Sequence, residues 1–283
     1  MRFSRRARRW LALSFAAPLA ACQSAGVLDP RGPVAAAERL LLINSTEIML
    51  VVVVPVILAT LGFAWWYRPS NARASRTPDW SYQGSIEFVV WSIPALVVIL
   101  LGGVTWIGAH LLDPRAPLAS DAKPLQVEVV SLDWKWLFIY PEQGVASVNQ
   151  LVIPANTPVS FRLTSATVMN AFFIPQLGSM IYTMPGMVTH LNLLADRPGA
   201  YPGISANFSG DGFSDMRFTT RAVSAGEFEN WVAQAHGASS ALDDPGYAAL
   251  AKPSSAVAPA AYRSVDPHLF ERIVDQKAPG EGS

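Results

Sequence analysis

Residues 201–216 read Tyr201-Pro-Gly-Ile-Ser-Ala-Asn-Phe-Ser-Gly-Asp-Gly-Phe-Ser-Asp-Met216. Glycines 203, 210 and 212 and Pro202 punctuate the run, which marks it as loop rather than as a long regular element. It carries serine hydroxyls, one asparagine amide and one thioether, but no cysteine and no histidine. Serine hydroxyls are hard and essentially unionised at neutral pH, so they bridge soft metal ions poorly.

Around this loop the chain from Leu125 onward alternates short β-prone runs with turn residues. The clearest strand candidates are 126–130, 136–140, 150–153, 159–163, 188–194 and 216–220. Pro141, Gly144, the Pro154-Ala-Asn156 run, Pro158 and the Pro198-Gly199 pair separate them. Closely spaced strands with such punctuation predict an all-β sandwich or barrel. Further on, Ser224 with Glu227 three residues later forms a capping-box pattern that predicts a helix over 225–236. Residues 249–259 read as an Ala/Ser/Pro linker. A short helix is expected after Pro267, and disorder after Gln276.

Upstream the composition changes. Two uncharged stretches, 48–67 and 88–107, are each long enough to cross a bilayer core at 1.5 Å per residue. Pro55 and Pro94 lie within them, which membrane helices tolerate where neighbours satisfy the freed carbonyl. Trp65, Trp66 and Tyr67 close the first stretch, and Trp80, Tyr82, Trp91 and Trp106 flank or enter the second, as interfacial anchors do. The loop between them holds Arg68, Arg73 and Arg76 against Asp79, which predicts a cytoplasmic loop and external termini. Glu87 stands at the cytoplasmic start of the second stretch; Glu47, before the first, reads as interfacial.

The N-terminus agrees with that topology. Arg2, Arg5, Arg6, Arg8 and Arg9 precede a short apolar segment over residues 10–21, the layout of a signal peptide. The segment closes with Leu19-Ala-Ala-Cys22, which resembles a bacterial lipobox whose thiol takes a diacylglyceryl group. Cys22 is the single cysteine in 283 residues, which excludes an intrachain disulfide and a thiolate cluster. Formal charge sums to zero, yet ten arginines face five acids up to residue 112, and sixteen acids face eleven bases beyond it. That distribution gives no support for nucleic-acid binding. His110, His190, His236 and His268 match no metal-ligand spacing. No nucleophile–base pair, phosphate loop or paired carboxylates mark a catalytic centre.

Taken in order, these segments resemble subunit II of the haem-copper respiratory oxidases, from about residue 40 to about residue 222. The resemblance rests on Asp133-Trp-Lys-Trp136, on Val168-Met-Asn-Ala-Phe-Phe-Ile-Pro175, on Met184-Pro-Gly-Met187 and on the 203–216 loop. It rests also on Ile86-Glu-Phe-Val-Val-Trp-Ser-Ile-Pro-Ala95 at the second apolar stretch. The cytochrome c oxidases of that family carry C-x-E-x-C-x-x-x-H-x-x-M in the loop, and here those positions are Ser205, Asn207, Ser209, Phe213 and Met216. The family's other copper-ligating histidine falls on Asn170. The resemblance therefore implies a two-helix membrane hairpin with a cupredoxin-like sandwich that has lost its dinuclear copper site, the pattern of the quinol-oxidising branch.

Several further expectations follow from the resemblance. Residues 1–21 would be a lipoprotein signal peptide, 22–44 a lipidated segment, 45–112 the hairpin, 113–222 the sandwich, 223–276 a C-terminal extension and 277–283 a disordered tail. The chain would be a noncatalytic subunit of a proton-pumping ubiquinol oxidase in the bacterial inner membrane. It would pack on subunit I, which holds haem and the remaining copper, alongside subunits III and IV. Glu87 matches the carboxylate at the mouth of the proton path. Trp134 and Trp136 would pack the sandwich or face subunit I, since without copper an electron-entry role has no acceptor, and cytochrome c would not dock. Met180, Met184, Met187 and Met216 are expected as core or loop methionines. Two other classes stay open: a copper-bearing cytochrome c oxidase subunit II, and a free-standing membrane-tethered lipoprotein acting in binding or assembly.

Overall fold

A computed structural model describes residues 26–75, 77–79, 81–120 and 122–278. Cys22 and the expected signal peptide lie outside the described residues, as do Arg76 and Trp80 of the interhelical loop and the tail from residue 279. The described chain forms two compact units, one of residues 36–116 and the other of 26–35 with 117–278.

The helical unit is built on α1 (Pro33–Trp66) and α2 (Gly84–Leu111). Both are long and apolar enough to cross a membrane. Helix α1 starts fifteen residues earlier than the uncharged stretch that announces it, because Pro33 suits a first helical position and the polar run through Glu47 continues the same helix. At 34 residues it extends about 51 Å, well beyond the ~30 Å of a hydrocarbon core. Pro55 and Pro94 sit inside continuous helices. The helices touch where Gly108 is buried: a Cβ there would come 2.7 Å from Leu41 Cδ1. Elsewhere the apolar side chains of the spans point outward, as with Phe88 and Trp91, the latter 76% exposed.

The second unit is a two-sheet sandwich. Its first strands are β1 (Leu125–Leu132), β2 (Lys135–Tyr140), β3 (Val145–Val148), β4 (Gln150–Pro154) and β5 (Val159–Ser165). Then come β6 (Asn170–Phe173), β7 (Ile181–Thr183), β8 (Thr189–Leu193), β9 (Gly199–Ser205) and β10 (Arg217–Val223). A last short strand, β11 (Ala260–Tyr262), comes from the C-terminal extension. One sheet runs β11-β3-β2-β1-β5-β8 and the other β4-β10-β9-β6-β7. Pairing is antiparallel except for β1 with β5 and β4 with β10. All six strands read from sequence are present; β3, β6, β7, β9 and β11, three to seven residues each, were too short or too interrupted to stand out.

Alternation divides β1 and β2 between two cores. Val127, Val129, Trp136, Phe138 and Tyr140 point between the sheets, against Phe172 and Phe218. The Phe172 and Phe218 rings stack at 5.0 Å, and Trp136 meets both edge-on at 5.3 and 5.7 Å. Gly203 lies opposite Phe218 in the β9–β10 register, and a Cβ there would run into that ring, so only glycine fits. Tyr140 is fully buried; its hydroxyl donates to Val152 O at 3.0 Å and accepts from Val152 N at 2.8 Å, and burial pushes the phenol's pKa up.

The other faces of β1 and β2 are apolar as well: Val130, Leu132, Leu137 and Ile139 are buried beneath the C-terminal extension. That extension folds as α3 (Ala225–His236), α4 (Asp244–Ala251), β11 and α5 (Leu269–Val274). Helix α3 has the expected bounds and both halves of its capping box, Ser224 Oγ accepting from Glu227 N and Glu227 accepting from Ser224 N. The Ser224 hydroxyl also donates to the Glu227 carboxylate, at 2.7 Å, and with the Ser224 N–H it holds that carboxyl below its ordinary range. Leu242, Tyr247, Leu269, Phe270, Ile273 and Ala278 form the second core with the outer face of the sheet. Arg162 on β5 clasps α5, donating to Glu128 at 2.8 Å and to Glu271 at 2.6 Å while lying 4.8 Å from the Phe270 ring centroid. Burial raises the Glu128 pKa even beside that guanidinium.

Three expectations shift. Residues 29–35 belong to the sandwich rather than to a free lipidated segment: Arg31 N donates to Gln176 O, Ala35 N to Leu177 O, and Asp196 N to Arg31 O. The stretch 249–259 is no free linker, since it begins in α4 and is then gripped by side chains described below. Ala278 is buried, so order continues past Gln276.

Phe172 touches four rings of the inner core, which sets the expected cost of removing it. Phe172→Ala should destabilise the sandwich by about 3–5 kcal/mol, read as a lower unfolding midpoint of the detergent-solubilised full chain by circular dichroism. A midpoint unchanged from the parent would remove the aromatic stack from the account of stability.

Candidate functional site

The residues singled out in the 203–216 loop and around Asn170 converge at one end of the sandwich. Strand β6 places Asn170 beside the end of β9, because Phe172 pairs with Ser205 in the antiparallel register. Asn170 and Ser205 are buried, and Ser205 Oγ donates to Asn170 Oδ1 at 3.1 Å. Asn170 Nδ2 donates in turn to Val168 O at 3.1 Å. Asn207 crosses the other way, its Nδ2 reaching Met169 O at 3.2 Å and Phe208 O at 3.3 Å. Ser209 Oγ lies 3.9 Å from Met216 Sδ, and Met216 is buried. Phe213, in a 3₁₀ turn over Phe213–Asp215, packs edge-on against Phe208 at 5.6 Å.

Every polar atom named here is engaged with another neutral protein group. A thiolate-bridged dinuclear copper centre needs two cysteine sulfurs between the metals and imidazoles to complete their coordination. The loop presents hydroxyls and amides turned toward each other instead, so these residues do not fit a dinuclear copper centre. Among the described residues, no cluster of three or more His, Cys, Asp or Glu side chains could hold a metal. Of the histidines, His110 contacts Trp106 O at 2.8 Å, His236 contacts Arg263 O at 3.1 Å, and His190 lies opposite Arg162 on β8.

Trp134 steadies the loop. It occupies the turn between β1 and β2 with φ +63°, a left-handed conformation that few bulky residues adopt. The turn aims the indole at the loop, where Nε1–H donates to Ser209 O at 3.1 Å. Its ring lies over Gly212, where a Cβ would come within 2.5 Å of Trp134 Cγ, and against Gly210, whose φ of +106° suits glycine alone. So Trp136 packs between the sheets, and Trp134 packs against the edge of the same core and over the 203–216 loop. The glycine pair was the available signal, because two glycines flanking one aspartate leave room for a large ring. Lys135, Asn149 and Thr167, which brace the same turn, carried no such signal.

Glu87 lies in the first turn of α2, in the helical unit. It is exposed, with its backbone N–H bonded to Gln83 O at 3.1 Å. A carboxylate there is favoured by the N-terminal helix dipole. Trp65, Trp66 and Tyr67 close α1, with the Arg68 guanidinium 4.8 Å from the Trp65 ring centroid. Around the polar cluster, Val168, Met169, Tyr182 and Phe208 are exposed, Phe208 at 74%.

Known proteins resemble this chain along nearly its whole length. The family model described as Cytochrome C oxidase subunit II, periplasmic domain, matches residues 125–223, and the COX Aromatic Rich Motif matches 237–279. Cytochrome bo(3) ubiquinol oxidase subunit 2 of Pseudomonas aeruginosa is 50% identical over 268 residues, covering 95% of this chain and 81% of the relative. Ubiquinol oxidase subunit 2 of Acetobacter aceti is 53% identical over 265 residues, covering 93% and 85%. Among solved structures, the periplasmic domain of subunit II of cytochrome oxidase of Bradyrhizobium japonicum is 26% identical, with a TM-score of 0.39 over 41% of this chain and 96% of that one.

The donor chemistry sets a direct expectation. The purified full chain, mixed with excess copper and desalted, should retain no stoichiometric copper and develop no purple thiolate absorption. One or two tightly held coppers per chain by elemental analysis would refute the assignment of these side chains.

Proposed function

Since this chain belongs to the ubiquinol oxidase subunit 2 family, we propose that it is a noncatalytic subunit of a proton-pumping oxidase that oxidises ubiquinol and reduces oxygen to water. The observation that carries this reading is the neutral, internally hydrogen-bonded cluster at the former ligand positions. A quinol reaches the enzyme through the bilayer, so no soluble donor has to dock and no surface metal relay is required. Electrons then bypass this polypeptide, and cytochrome c is not a partner. Haem and the remaining copper belong to subunit I.

Three features support a scaffolding role. The apolar spans expose most of their side chains, which demands lipid or apolar partner helices around them. The patch of Val168, Met169, Tyr182 and Phe208 offers subunit I an apolar contact beside the polar cluster. The C-terminal extension completes a second core and so keeps the outer face of the sandwich closed. The protein resides in the bacterial inner membrane, with the sandwich on the periplasmic side. Cys22 is its lipid attachment point, and subunits III and IV complete the complex.

Glu87 is assigned to proton entry. It is the one carboxylate of α2, and it stands in the first turn, where protons from the cytoplasm would arrive. The chain itself performs no redox chemistry, and its contribution would be to hold this group at the boundary.

Two measurements test the reading. The tagged chain purified from its native membrane should bring a haem spectrum with it and support oxygen consumption with a quinol donor but not with reduced cytochrome c. A haem-free preparation would favour the free-standing lipoprotein instead. In the assembled enzyme, Glu87→Ala should slow proton uptake and steady turnover by about a hundredfold, the lower end of what positioned acid–base groups contribute. Unchanged turnover and pumping would withdraw the proton-entry role.

A further inference from the structure

The turn that presents Trp134 to the former ligand loop is also the place where the C-terminal extension is fastened. Lys135 is almost fully buried, and its Nζ donates to Lys252 O at 2.8 Å, to Ser254 Oγ at 2.7 Å and to Asp133 O at 3.2 Å. An ammonium group has three donors, and these three acceptors take all of them. All three are uncharged, and burial pushes the Lys135 pKa below its ordinary range. A buried lysine of this kind is costly for a fold to keep unless its hydrogen bonds are made.

A second side chain repeats the arrangement. Asn149 sits at φ +53° where the chain passes from β3 in one sheet to β4 in the other. Its Oδ1 accepts from Trp136 N at 2.8 Å, and its Nδ2 donates to Val257 O at 2.8 Å. Residues 252–257 are therefore held at two points, each one residue removed from, or bonded directly to, a tryptophan of the 133–136 turn. On the other flank, Thr167 Oγ1 donates to Asp133 Oδ1 at 2.7 Å, three residues before Asn170 of the polar cluster.

We infer that Lys135 is a latch coupling the seat of the C-terminal extension to the position of the 205–216 loop, through the two-residue turn that carries Trp134. When 252–254 is seated, Lys135 is fixed, the turn keeps its left-handed residue, and the indole stays over Gly210 and Gly212. When 252–254 lifts away, the buried ammonium loses two of its three acceptors, the turn relaxes, and the loop loses its brace. The extension is in this way a positional control on the end of the sandwich that bears the polar cluster and the exposed Phe208.

Hydrogen–deuterium exchange on the full chain in detergent tests the latch. Lys135→Met should speed exchange by about fivefold or more, the lower range of site-to-site couplings, both in 252–262 and in 208–214, while β5 and β10 stay protected. Faster exchange in 252–262 alone would overturn the coupling, and no change in either segment would overturn the latch. Should Lys135→Met also lose protection in β5 and β10, Ser254→Ala decides, because it removes one acceptor from the linker side and leaves the sandwich core intact. It should loosen 208–214 as well, and failure to do so overturns the proposal. Coupling free energy is reciprocal, so Trp134→Phe, which removes the donor to Ser209 O and part of the ring that covers Gly210 and Gly212, should in turn speed exchange in 252–257. Its silence there would also count against the latch.

Discussion

The hydrogen bond from Ser205 to the Asn170 side chain joins two segments that are far apart in the chain and converge at one end of the sandwich. A metal centre ties distant pieces of chain together through strong, directional bonds. Here the pieces are held by neutral groups worth only about 0.5–1.5 kcal/mol each in net terms. The structure meets that demand by numbers and by exclusion of water. Asn170, Ser205 and Met216 are buried, Asn207 bridges to Met169, and the Trp134 ring covers the glycines of the loop.

Burial on both faces of one sheet is the second constraint. Strands β1 and β2 are buried along nearly their whole length, which a two-layer sandwich alone does not require. The C-terminal extension supplies the third layer. Its attachment mixes apolar contact through Tyr247, Phe270 and Ile273 with a charged clasp at Arg162, while Arg272 ties the extension to itself through Asp244 and Asp266. Lys135 and Asn149 add hydrogen bonds to the backbone of the connecting segment. The segment's Ala, Ser and Pro composition resembles a flexible tether, yet main-chain carbonyls can be gripped whatever side chains they carry. Composition therefore misjudged it.

The helical unit follows a simpler rule. Among the described residues its apolar side chains are largely exposed, which calls for lipid or partner helices around them. Helix length shows where local reading stops short. Hydropathy marks only the part of α1 without charge, whereas the helix continues through Asn44, Ser45, Thr46 and Glu47 to Pro33. Polar residues interrupt hydropathy without interrupting backbone hydrogen bonds, and Thr46 even returns its hydroxyl to Leu42 O at 2.7 Å.

Residue types and spacing by themselves determined the two apolar spans, the six strands read from sequence and the capping box of α3. Each of these depends on local periodicity or on the chemistry of a single side chain, and both are written directly in the chain. Tertiary structure alone decided that Trp134 would reach from the edge of the core over the loop, that Lys135 and Asn149 would hold residues 252–257, and that residues 29–35 would join the sandwich. Those outcomes come from contacts between residues far apart in the chain, 147 positions in the case of Asp29 and Gln176. A lysine between two tryptophans looks like a solvated surface residue until the fold closes over it, and only then does its need for three acceptors select its partners.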